Sequence, residues 1–322
     1  MSQMGSRFTT RVLVVRTVLL AGSLLLLFSW RYAQAQEVPI RVEVNLVNLY
    51  VAVTDAAGRP INELAKENFH VWEDSAEQEI SFFSSEDVPF TIGLILDRSG
   101  SMERVIDDVY QAALHTIEAS KEGDEAFVIL FNDRIELLQD FTSDRKALQK
   151  AAHKVSARGQ TALYDAVYTG LRHIQKGKNR KKALLVVTDG ADNSSEVQFK
   201  ELLEFARQSE VLVHVIGLFG DPKRFGSLLA DSPEVDKLSQ LASVTGGKAY
   251  FPKTMEQCKQ ACVDTARELH HQYSLAYYPT NRAKDGTWRN IHVEGVGLPV
   301  GRSSDVIART RDGYYAPRET QR

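Results

Sequence analysis

The sequence predicts an α/β protein: a doubly wound, mostly parallel sheet with helices on both faces, flanked by a small β subdomain. Three observations carry this reading. Apolar runs at 92–96, 126–131, 183–187 and 211–218 lack polar alternation, as expected of strands buried on both faces of a parallel sheet. Stretches of helical periodicity separate these runs. Short alternating segments precede residue 88 and follow residue 270, which suits strands with one face in water.

Taken in order, residues 1–35 have the pattern of an export signal. Arg7, Arg11 and Arg16 precede an apolar stretch at 17–28, and Ala33-Gln34-Ala35 offers a cleavage site. The apolar stretch is shorter than the roughly 20 residues of a spanning helix. The expectation is therefore an exported protein, periplasmic or extracellular, with an uncleaved membrane anchor as the alternative and no span elsewhere. Residues 36–87 form an N-terminal β unit. Its run at 42–53 alternates with period two, Gly58 and Pro60 punctuate a turn, and 69–72 and 80–83 read as further strands. Such a unit is too small to bury a secure core alone.

The α/β domain spans 88–270. Met102, Val105, Ile106, Val109, Ala113 and Ile117 fall on one helical face, as do Ala162, Leu163, Ala166, Val167, Leu171 and Ile174. Ser194 and Ser195 are expected to cap the helix carrying Leu202, Leu203 and Ala206. The stretch 135–141 follows its predecessor too closely for a crossover helix, so it is expected as an antiparallel edge strand after a hairpin at Asn132-Asp133. Residues 271–322 return to β character at 272–278, 289–294 and 306–310. Neither flanking segment has enough strands for stability, so the two are expected to pack together.

Composition narrows the function. The chain has 322 residues, 43% hydrophobic and 25% charged, which is ordinary globular usage. Residues 1–35 hold four arginines and no acid, so the remainder is more negative than the whole chain's −3. An acidic body has no general attraction for nucleic acid or anionic lipid. The basic run at 176–182 is expected as a solvated connection. Two cysteines, Cys258 and Cys262, exclude a disulfide framework; packing is the expected role, pairing or metal binding the alternative. A phosphate-binding Gly-x-x-x-x-Gly-Lys-Ser/Thr loop and a Gly-x-Ser-x-Gly nucleophile turn are both absent. His214 falls inside an apolar run, and His270 and His271 point to different helix faces.

The chemistry concentrates where strands end. Asp97-Arg98-Ser99-Gly100-Ser101 follows the first buried strand, Gly159-Gln160-Thr161 precedes a helix, and Thr188-Asp189-Gly190 closes a strand. Ligands of doubly wound sheets bind in the crevice beyond the strands' carboxyl ends. Oxygen-only donors suit a hard divalent cation. Singly, each of these side chains could instead cap a helix or turn; their joint occurrence favours a metal site. Asp165, one turn after Thr161, reads as a helix-surface or supporting residue and not as a ligand.

Asp97-x-Ser99-x-Ser101, Thr161 and Asp189 resemble the metal-ion-dependent adhesion site of the von Willebrand factor A domain, a Rossmann-like fold whose order of strands and helices is similar to that of 88–270. The resemblance implies that Ser99, Ser101 and Thr161 coordinate a divalent cation through their hydroxyls, and that Asp97 and Asp189 bind it directly or through water. Asp192 and Asn193 are candidates for supporting these ligands, against the alternative of a solvated loop. The ion is expected to be Mg²⁺, with Mn²⁺ or Ca²⁺ as alternatives. The flanking segments, with Tyr277-Tyr278-Pro279 and Gly313-Tyr314-Tyr315, resemble those of exported bacterial members of the family. The implied function is non-enzymatic protein binding or adhesion, in which an Asp or Glu of a partner meets the cation; no catalytic residue is assigned. The alternatives are a metal-assisted hydrolase and a structural envelope component with a stabilising cation.

Overall fold

Runs apolar on both faces require helices above and below them, and the computed structural model of the chain has that arrangement. It describes residues 46–55, 58–151, 156–190, 192–218, 232–295 and 306–319; the expected export signal at 1–35 and the start of the 42–53 run lie outside these. In chain order the strands are β1 (Val47–Thr54), β2 (Phe69–Glu73), β3 (Ala76–Gln78), β4 (Ile80–Ser84), β5 (Phe90–Asp97), β6 (Glu125–Phe131), β7 (Ile135–Thr142), β8 (Lys181–Thr188), β9 (Leu212–Gly217), β10 (Ala249–Tyr250), β11 (Tyr273–Tyr277), β12 (Trp288–Gly295), β13 (Ile307–Arg309) and β14 (Gly313–Tyr315). The helices are α1 (Ile106–Glu118), α2 (Arg145–Ala151), α3 (Leu163–His173), α4 (Phe199–Gln208), α5 (Pro233–Val244) and α6 (Met255–His270).

The central sheet has the order β10-β9-β8-β5-β6-β7. Its members pair in parallel except β7, which is antiparallel to β6 at the edge, as the short 132–134 connection predicts. Every residue of β5 and β6 is buried. On one face Val109, Ala113 and Ile117 of α1 and Cys258, Cys262 and Leu269 of α6 pack against Ile92, Leu94 and Leu96. On the other, Val167 and Leu171 of α3, Leu202 of α4 and Leu241 of α5 pack against Ile95, Phe127 and Leu184. Each valine, leucine, isoleucine and phenylalanine among these contributes roughly 1.5–3 kcal/mol relative to exposure. Both cysteines are fully buried and unbridged, so they act as packing residues.

Two smaller sheets, β13-β1-β11-β4 and β14-β12-β2-β3, each join strands from before and after the α/β segment. They share a core that includes Val51, Val71, Tyr273 and Val293. Glu73, 2% exposed, accepts hydrogen bonds from Tyr277 Oη at 2.8 Å and Tyr314 Oη at 2.9 Å. The two tyrosine motifs noted in the sequence thus meet on one buried carboxylate.

Two expectations are corrected. Ser194 and Ser195 do not cap α4: its N-cap is Gln198, without a side-chain hydrogen bond. The segment is held elsewhere, because Ser194 N donates to Thr161 O at 3.2 Å and Ser195 Oγ accepts from Asp165 N at 3.1 Å. The basic 176–182 run is not wholly solvated either. Lys181 opens β8 at 1% exposure, and its ammonium donates to Leu269 O at 2.8 Å, because parallel pairing with β5 draws it under the sheet.

Candidate functional site

The order β9-β8-β5-β6 sets the C-terminal ends of β5 and β8 side by side. Leu96 pairs with Val187 in the register, so Asp97 and Thr188 leave the sheet together. After Asp97 the chain forms one 3₁₀ turn, Gly100–Arg104, before α1 begins at Ile106. Met102 N donates to Ser99 O at 3.0 Å, and Val105 N to Met102 O at 2.9 Å. This tight turn buries Met102 and leaves Ser101 at the surface.

Backbone hydrogen bonds tie the 158–162 loop to this one. Arg158 N donates to Arg98 O at 2.9 Å, Gly100 N to Gly159 O at 3.1 Å and Ala162 N to Asn132 O at 2.7 Å. Gly159 has φ +82°, and a β-carbon there would sit 2.5 Å from Asp133 Oδ1, so the loop requires glycine.

Asp97 is fully buried. Its Oδ1 accepts from Ser99 N at 2.8 Å and its Oδ2 from Thr188 Oγ1 at 2.5 Å. Burial pushes its carboxyl up to about 6, against the lowering effect of these two donors. Asp189, 1% exposed, is also raised by burial, opposed by the hydrogen bond it accepts from Ser101 Oγ at 2.7 Å. Ser99 Oγ and Ser101 Oγ are 3.1 Å apart. Asp97, Ser99, Ser101 and Asp189 therefore form one connected group through Ser99 N and the two serine hydroxyls, with Thr188 holding the other oxygen of Asp97.

Thr161 is 4% exposed and stands beside Gly190, where a β-carbon would lie 3.7 Å from Thr161 Oγ1. Its backbone is clamped by Asn193: Thr161 N donates to Asn193 Oδ1 at 2.9 Å, and Asn193 N donates to Thr161 O at 3.0 Å. Asp192 Oδ1 accepts from Tyr164 N at 3.2 Å and from the Ser195 hydroxyl. Asp165 accepts from Glu196 N at 3.0 Å and Val197 N at 2.8 Å, so of its two expected roles it takes that of holding the loop. Asn193 and Asp192 thus hold the rim's backbone.

Sequence reasoning places Thr188 at a strand end and Asn132 in a hairpin but gives neither a role in the site. Thr188 holds Asp97; the signal is a hydroxyl closing an otherwise apolar strand. Asn132 fastens the second loop, with Asn132 Nδ2 donating to Arg158 O at 2.8 Å, and resembles any hairpin asparagine in sequence. His214 is a core residue: fully buried, pushed down to about 4 by desolvation, with Nδ1 3.3 Å from Lys248 N.

Among the described residues no group of three or more His, Cys, Asp and Glu side chains gathers as a metal site. The donor set at this rim is of another kind: two buried carboxylates and three hydroxyls. It fits a hard dication, whose charge would relieve the burial that raises both carboxyls.

Residues 92–191 match the family described as von Willebrand factor type A domain. An uncharacterized Synechocystis protein is 31% identical over 139 residues, covering 42% of this chain and 33% of that protein. The match thus spans about a third of its relative's length. Among solved structures, a von Willebrand factor type A protein from Catenulispora acidiphila aligns at 11% identity over 87% of this chain and 76% of that one, with a TM-score of 0.49. The vWF domain of the type V pili tip protein Mfa5 from Porphyromonas gingivalis aligns at 12% identity over 56% and 95%, with a TM-score of 0.46. The matched residues 92–191 lie within the α/β segment and reach from β5 past the end of β8, so the von Willebrand factor type A match takes in all three loops of the rim.

Proposed function

We propose that this chain is an exported, non-enzymatic protein-binding module that captures an Asp or Glu of a partner protein through a divalent cation, Mg²⁺ first among Mg²⁺, Mn²⁺ and Ca²⁺. Ser99, Ser101, Thr161, Asp97 and Asp189 would hold the ion. When bound, it supplies positive charge against two carboxylates and an open position for an outside carboxylate oxygen. The chain's own residues prepare this. Thr188 and Ser99 N fix the Asp97 carboxylate, Ser101 is aimed at Asp189, and Asn193 clamps the backbone of Thr161.

The observation that carries the reading is a fully buried carboxylate, Asp97, met by neutral donors and linked through hydroxyls to a second buried carboxylate at the rim where parallel sheets present ligands. Export rests on the pattern of residues 1–35.

The test is affinity capture from the native envelope with and without EDTA, using wild type, Asp97→Ala and Thr161→Ala, with circular dichroism to verify folding. A partner lost on chelation and in both variants supports the reading. Capture that persists in EDTA and in both variants overturns it.

A further inference from the structure

At the opposite, N-terminal end of the central sheet lies a crevice of about 760 Å³. Its floor is the face of the β13-β1-β11-β4 sheet that carries Tyr50, Phe82 and Ser274; its roof is the 175–182 connection with the start of β9. Six cations line it: Lys178, Arg180, Lys181, Lys182, Arg207 and Arg311; the acids among its lining are Glu86 and Glu210. This excess of positive charge stands out in a chain of net negative charge.

Some of these cations are engaged. Arg311 meets Glu210 at 2.7 Å and Arg207 meets Asp312 at 3.2 Å. Lys182 donates to the carbonyls of Gly177 and Asn179, and Lys178 is 3.9 Å from Glu125. Arg180 is exposed and has no ion-pair partner among the described residues. Burial pushes Lys181 down to about 8 and lowers Lys182, so an incoming anion would favour their charged forms. The apolar part is equally marked: Phe82 is 53% exposed on the floor, beside Tyr50 and Val88.

The geometry points to a binding site for an extended acidic peptide segment in which Asp or Glu alternates with apolar residues. Its carboxylates face Lys178, Arg180 and Lys182, and its apolar side chains face Tyr50, Phe82 and Val88. These three cations stand at alternate positions of one run, 178, 180 and 182, so they suit charges spaced along a chain better than one compact anion. The volume fits a few residues, and crevices between packed units are common ligand sites. The site is at the other end of the sheet from Asp97 and is independent of the metal reading.

The experiment is fluorescence anisotropy of the purified protein with a fluorescein-labelled hexapeptide alternating glutamate and leucine, at low salt. Glutamine–leucine and lysine–leucine hexamers are controls, and pyrophosphate is the competitor. The expected result is binding at least about tenfold tighter than to the glutamine–leucine hexamer, weakened by salt. Lys178→Glu combined with Arg180→Glu, both exposed, is expected to weaken it about tenfold or more with an unchanged circular dichroism spectrum, while EDTA, which keeps the rim around Asp97 free of metal, leaves it intact. No binding, equal affinity for the glutamine–leucine hexamer, or indifference to the charge reversals overturns the proposal. Displacement of the hexamer by pyrophosphate at equal concentration assigns the crevice to compact phosphate anions and also overturns it.

Discussion

Replacing Asp97 by Asn removes a buried charge while keeping the side chain's shape. Asp97 is fully buried, and its carboxyl titrates near 6 in the fold against 3.8 in the unfolded chain. At 1.36 kcal/mol per tenfold in proton affinity, holding it ionised at pH 7.5 without metal costs the fold about 3 kcal/mol. Because the folded group takes up its proton at higher pH than the unfolded one, its contribution is most favourable below pH 3.8 and is lost as the pH rises through about 6. Asp97→Asn keeps an oxygen for Ser99 N, and the Thr188 hydroxyl can accept from the new amide. In EDTA at pH 7.5 the variant is therefore expected to be about 2–3 kcal/mol more stable than wild type, and the difference should shrink towards pH 5. Mg²⁺ at a hundred times its Kd should return about 2.7 kcal/mol to wild type and little to the variant. Urea unfolding at pH 5 and 7.5, with and without Mg²⁺, measures all of this. A variant less stable than wild type in EDTA, or two proteins with parallel pH dependence, would refute the reasoning.

Four other perturbations test separate parts of the structure. Lys181→Met should raise stability at pH 7 by about 1–3 kcal/mol, because the buried ammonium titrates near 8 instead of 10.5; the gain should fade as the pH rises from 8 to 10.5, which denaturant melts at pH 7 and 10.5 would show. Glu73→Leu strands the hydroxyls of Tyr277 and Tyr314 and should cost about 2–4 kcal/mol in the same assay, with Glu73→Gln costing less. Gly93→Ala places a methyl 2.2 Å from Phe127 Cζ and 2.7 Å from Leu184 Cδ2, so overpacking should lower stability by about 1–3 kcal/mol. Asp165→Ala frees Glu196 N and Val197 N; calorimetric titration should show weaker Mg²⁺ binding, with affinity equal to wild type counting against its support role.

The central sheet is legible in the sequence because burial on both faces leaves a composition signature: runs such as 126–131 have no place in water. The antiparallel β7 follows from chain length alone, since Asn132-Asp133 is too short to cross a sheet. Ser195 misleads because a serine before a helix has the same local chemistry whether it caps or reaches sideways. Asp165 and Asp192 decide between the two, through contacts that no helix-start pattern encodes. Lys181 misleads for the converse reason: a charge run looks solvated until pairing with β5 fixes which member goes under.

By itself the sequence determined which residues are apolar on two faces and which oxygen-bearing side chains follow strand ends, because both are properties of local pattern. Only the tertiary structure decided that Ser101 reaches Asp189, that Thr188 holds Asp97 and that Tyr277 and Tyr314 share Glu73. These contacts join residues far apart in the chain, and the register between neighbouring strands, which sets them, is fixed by packing of the whole sheet and not by any short stretch.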